Sequence, residues 1–191
     1  RGLITTVVYT ATSMIVTFDL IFNASYFGAK NIYLYAAEAG ANSGWVAVGS
    51  WTVTEGSPTA ASVNPASGSG SNTNFTFTAL DSVSEQNITG MSMLFTPGAP
   101  TNLANGCYLL YTRGTATIGL YNDAGTALST KTLGSSANLQ NSQCAVGFTA
   151  KVASGNSVAF TIQLVFKAAF AGAKTVYLQA NEPNTNSGWV Q

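Results

Sequence analysis

The sequence predicts an all-β chain, and three observations carry that prediction. Apolar and polar residues alternate with a period of two in run after run. Gly, Asn, Asp, Ser and Pro punctuate those runs at short intervals. One segment of the chain returns, half of it unchanged, at an offset of 144 residues.

The alternation comes first. Phe75, Phe77 and Ala79 alternate with Thr76 and Thr78, and Met91, Met93 and Phe95 with Ser92 and Leu94. Phe160, Ile162, Leu164 and Phe166 alternate with Thr161, Gln163 and Val165. Successive side chains of a strand point to opposite faces, so a period of two marks a half-buried strand. No segment carries a helical period. Asn105-Gly106 and Asn122-Asp123-Ala124-Gly125 have turn chemistry, and Ser67-Gly68-Ser69-Gly70-Ser71 reads as a flexible loop. Leu3 to Phe22 is apolar, but Thr5, Thr6, Thr10, Thr12, Ser13, Thr17 and Asp19 interrupt it. That density of polar groups argues against a membrane-spanning helix, and the stretch lacks the charged start and cleavage site of a signal peptide. Two strands are expected there.

The repeat sets the organisation. Ser13 to Val46 aligns without a gap on Ser157 to Val190, and 17 of the 34 positions are identical. Gly28-Ala29-Lys30 returns as Gly172-Ala173-Lys174, and Asn42-Ser43-Gly44-Trp45 as Asn186-Ser187-Gly188-Trp189. A fixed-offset match of this kind means one module present twice. Its length and many short strands point to immunoglobulin-like β-sandwich modules in tandem. Residues 1–53 read as the second half of a first module, 54–57 as a linker, and 58–191 as a second module. The first copy runs on past Trp45 into Val46 to Val53, whereas the second stops at Gln191 before that strand. The expected fold is therefore incomplete at both chain ends. An unpaired strand edge is a template for another strand. Val46, Val48, Ser50, Trp51 and Val53 are the candidates for such strand complementation, with Val46, Val48 and Ser50 alternating against Ala47, Gly49 and Trp51.

Composition narrows the function. Only 7% of residues are charged, seven basic and seven acidic, and there is no histidine; an ordinary domain carries about 25% charged residues. No basic stripe is present for nucleic acid and no polybasic cluster for an anionic membrane. Without histidine the usual general base and the Ser-His-Asp arrangement are missing, so no enzyme and no cofactor are expected. Cys107 and Cys144 are the only cysteines. A disulfide is expected in a secreted context, the alternative being two buried free thiols; two cysteines alone cannot fill a zinc shell.

Other candidates compete with plainer roles. Asp81 and Glu85 could flank a glycosidic bond or hold calcium, but carboxylate pairs in polar loops are usually solvated charges. Trp45, Trp51 and Trp189, with Tyr33, Tyr35 and Tyr177, could form a carbohydrate platform. The recurrence of Trp45 as Trp189 favours packing. Lys30 and Lys174 read as solvated lysines that discourage edge pairing. Asn23-Ala24-Ser25, Asn74-Phe75-Thr76 and Asn87-Ile88-Thr89 match the glycosylation acceptor pattern, which arises by chance in so Ser/Thr/Asn-rich a chain.

The pattern NGCYLLY…LYNDAGTAL…LGSSANLQNSQC…FAGAKTVYLQA…NSGW, with Gly49-Ser50-Trp51-Thr52-Val53 as a closing strand, resembles a repeat of large secreted or surface proteins of environmental bacteria, acidobacteria among them. The likeness covers nearly the whole chain. It implies an immunoglobulin-like, multi-repeat, cell-surface setting and carries over no catalytic residue. The expected function is a structural module of an extracellular bacterial filament or surface stalk. Its partners would be other copies of itself or neighbouring repeats, joined through β-strand complementation or tandem repetition. The alternative is a carbohydrate-binding or adhesin module of a larger secreted protein, with polysaccharide as partner.

Overall fold

The period-two runs fold as strands. A computed structural model describes residues 2–22 and 26–191 of the chain, so the acceptor pattern at 23–25 lies outside the described residues. Two compact units are present, Arg1–Glu55 and Gly56–Gln191.

The first unit holds β1 (Gly2–Tyr9) paired antiparallel with β2 (Met14–Leu20), and β3 (Gly28–Leu34) paired antiparallel with β6 (Val46–Val53). The short β4 (Ala37–Glu38) and β5 (Ala41–Asn42) pair between them.

The second unit holds two five-stranded antiparallel sheets. One has the order β13-β14-β15-β8-β7, made of β7 (Pro58–Asn64), β8 (Asn72–Asp81), β13 (Leu139–Gln140), β14 (Cys144–Ser154) and β15 (Ser157–Phe166). The other has the order β12-β11-β10-β9-β16, made of β9 (Gly90–Thr96), β10 (Cys107–Thr112), β11 (Thr117–Tyr121), β12 (Leu128–Thr132) and β16 (Thr175–Asn181). One apolar core joins them, with Phe77, Phe160 and Ile162 from the first sheet against Met93, Leu109 and Ile118 from the second. Tyr111 stacks on Phe160 with ring centroids 4.9 Å apart. Cys107 on β10 and Cys144 on β14 are bonded, S–S 2.02 Å, so the disulfide ties one sheet to the other through the core. The all-β prediction and the cysteine pairing both hold.

Alternation predicts the inward residues of β8 and β15. It does not predict those of β9, where all seven residues are buried. Leu94 points away from the core cluster, yet it lies between its cross-strand partners Tyr108 and Tyr177. Two large neighbours on a central strand cover an outward face that periodicity leaves to water.

The repeat is structural as well as sequential. Val7 pairs with Val16 and Thr6 with Thr17 in the first unit. At the equivalent positions of the second, Lys151 pairs with Phe160 and Ala150 with Thr161. Burial separates the copies. Phe18 and Leu20 are each 55% exposed, while their counterparts Ile162 and Leu164 are fully buried. None of the described side chains in the first unit is buried.

Candidate functional site

The repeated Asn-Ser-Gly-Trp motif builds a turn with one geometry in both copies. The Ser43 hydroxyl accepts from the Ala36 N–H at 2.9 Å and donates to the Gly44 carbonyl at 2.8 Å. Asn42 Oδ1 accepts from the Gly44 N–H at 3.0 Å. In the second copy Ser187 accepts from Ala180 N at 2.9 Å and donates to Gly188 O at 2.8 Å, and Asn186 Oδ1 accepts from Gly188 N at 2.9 Å. This turn reverses the chain and delivers the residue after the tryptophan to the strand it left.

In the first unit that delivery begins a full strand. Val46 pairs with Leu34, and β6 continues along β3 until Val53 pairs with Gly28. In the second unit the delivery is the same: Leu178 and Val190 form an antiparallel bridge, with N to O distances of 2.8 Å and 2.9 Å. Leu178 and Val190 are the counterparts of Leu34 and Val46. β16 is paired with β9 along its other side. Alternate residues of an antiparallel strand aim their N–H and C=O groups to the same side. Leu178 and Ala180 use theirs on the outer side, so those of Val176 face outward too. Beyond Val190, no described strand pairs with this edge. A small cleft of about 50 Å³ runs beside it, lined by Ala60, Val63, Val176, Leu178 and Val190.

The pairing within the first unit also corrects the simple alternation expected of Val46 to Val53. The register shifts between Ile32 and Tyr33, so Ile32 pairs with Gly49 and Tyr33 with Ala47, and Val48 falls in the bulge. Val46, Gly49, Trp51 and Val53 therefore share one face, and Ala47, Ser50 and Thr52 the other. One extra residue in a strand flips everything beyond it. Trp51 is 62% exposed in this unit.

Lys30 and Lys174 do more than keep an edge solvated. Lys174 Nζ donates to the Ala171 and Gly172 carbonyls at 2.9 Å and 3.2 Å and lies 4.5 Å from the Phe170 ring centroid. Lys30 Nζ donates to Phe27 O at 3.0 Å and lies 4.3 Å from the Tyr26 ring. Each ammonium clamps the turn that leads into its strand. Trp189 packs edge-on to Tyr108 at 5.9 Å, and Trp45 pairs with Tyr35 at 5.4 Å.

The acidic candidates are separated by their partners. Glu85 forms an ion pair with Arg113, whose Nε donates to Ile88 O at 2.7 Å. Asp81 is buried, and its Oδ1 accepts from Val83 N, Ser84 N and Asn87 Nδ2 at 3.0 Å, 2.7 Å and 2.9 Å. Burial raises the Asp81 pKa, but the Glu182 carboxyl and these donors outweigh it and hold it below the ordinary value of 3.8. Because its amide serves Asp81 and it is buried, Asn87 is ill placed as a glycosylation acceptor. Among the described residues no group of three or more metal-ligating side chains is gathered, and no helix is long and apolar enough to cross a membrane.

Sequence reasoning missed Lys131, which is only 6% exposed. Its Nζ donates to Val146 O and Gly147 O at 3.1 Å and 2.9 Å, and burial lowers its pKa. The run Leu128-Ser129-Thr130-Lys131-Thr132 has no apolar alternation to mark Lys131 as inward-facing.

No protein-family model, no curated protein and no solved structure matches the chain. The functional reading rests on the geometry.

Proposed function

We propose that the chain is a structural module of an extracellular filament or surface stalk, built of immunoglobulin-like sandwich modules. They join where a β6-type strand is laid antiparallel on the outer edge of β16. That strand follows Val190 in a tandem array, as β6 follows Trp45 in the first unit, or comes from another copy. The observation that carries this reading is the Leu178–Val190 bridge, which reproduces the first step of a pairing that β3 and β6 carry through to Val53. The same register would set Trp51 opposite Lys174 and Gly49 opposite Val176. Added main-chain bonds are worth about 0.5–1.5 kcal/mol each, and full burial of a large apolar side chain about 1.5–3 kcal/mol. A disulfide between the sheets suits an oxidising, extracellular setting.

A synthetic peptide with the sequence of Val46 to Val53 tests the reading. It should bind the intact chain, raise its melting temperature and compete with assembly seen by sedimentation and electron microscopy. A chain that stays monomeric and ignores the peptide would overturn the proposal.

A further inference from the structure

β12 and β13 are the outer strands of their respective sheets, and an open cavity of about 470 Å³ lies beside them. Lys131 lines it from β12, Ser135, Ser136 and Asn138 from the connection to β13, and Phe148 and Thr149 from β14. The β14–β15 register shifts between Val146 and Thr149, and Lys131 donates to Val146 O and Gly147 O at that irregularity. An ammonium has three donors, and two go to these carbonyls. No acidic side chain lines the cavity, so the one charge at its wall is positive and is balanced there by carbonyl dipoles. Phe148 is 60% exposed.

An inward-pointing lysine on an edge strand discourages edge-to-edge pairing. That role accounts for Lys131 but not for the cavity or for a largely exposed phenylalanine on its wall. Its volume falls within the roughly 300–1,000 Å³ of small-molecule sites. Hydroxyl and amide groups suit sugar hydroxyls, an aromatic ring covers the apolar face of a pyranose, and a cation with no carboxylate in the lining attracts an anion.

We propose that this cavity binds a carboxylate-bearing saccharide, a uronic acid unit of an acidic polysaccharide, with Lys131 drawing the carboxylate and Phe148 covering the sugar face. The site is independent of the β16 edge, so it stands or falls separately from strand addition.

Calorimetric titration of the intact chain with trigalacturonate, and with neutral trigalactose as control, tests it. Trigalacturonate should bind about tenfold more tightly than the neutral trimer, a difference of about 1.4 kcal/mol, and added salt should narrow the gap. Phe148→Ala should weaken both ligands without changing the melting temperature. Lys131→Met should erase the preference for charge. Should Lys131→Met fail to fold, Ser136→Asp on the exposed loop provides the second arm, since a negative charge there should repel trigalacturonate and spare the neutral trimer. Absence of trigalacturonate binding by the folded chain would overturn the proposal. So would binding indifferent to both Phe148→Ala and Ser136→Asp.

Discussion

Leu178 and Val190 exchange both of their backbone hydrogen bonds, one at 2.8 Å and the other at 2.9 Å. Leu34 and Val46 are paired at the same positions of the first copy. The Asn-Ser-Gly-Trp turn thus sets the same first rung in both copies, and in the first copy β6 continues from it as far as Val53.

Strand addition needs the outward N–H of Val176. Proline is tolerated on an outer strand where the lost N–H faces away from the sheet. Val176→Pro should leave the folded chain intact by circular dichroism and abolish both peptide binding and assembly. Assembly that survives the substitution would move the contact elsewhere.

The disulfide closes a sequence separation of 37 residues across the core. Chain-entropy reasoning puts its contribution at about 3–4 kcal/mol. The Cys107→Ala/Cys144→Ala double variant should lose that much in denaturant unfolding. The native chain should take up no alkylating reagent before reduction.

Gly172 has φ of +95°, as does Gly28 at the equivalent position. A Cβ at Gly172 would meet only the end of Lys174, at 3.8 Å, so the cost of Gly172→Val is one of backbone conformation. Unfolding measurements should show a loss of more than about 1 kcal/mol. An unchanged midpoint would show that the turn can be rebuilt without glycine.

Asp81 makes stability depend on acid. Its pKa in the folded chain lies below 3.8, so between those two values the unfolded chain binds the extra proton. The ionised carboxylate stabilises the fold above pH 3.8 and loses that effect as pH falls through the folded-state pKa. Asp81→Asn should flatten the acid limb of the stability curve. Gly56→Ala should act on the same group, because a Cβ there would overlap the Asp81 carboxylate. It should lower stability by about 1–3 kcal/mol at neutral pH, as expected when a buried carboxylate loses its donors.

Local features of the chain were enough to predict its β class and the repeat, and they left Cys107 and Cys144 either bonded to each other or as buried thiols. Alternation and turn chemistry act over a few residues, and with only two cysteines there is only one intrachain pair. Tertiary structure alone decided the rest. Asp81 meets Glu182 from a distant part of the sequence, and Leu94 is covered because Tyr108 and Tyr177 lie on either side of it. Lys131 turns inward to carbonyls at an irregularity of β14. The bulge in the β3–β6 pairing, too, decides which residues of β6 face together. Phe18 and Ile162 occupy the same place in the repeat, yet one is exposed and the other buried. Burial depends on what is packed against a strand, and a strand's own sequence does not contain its neighbours.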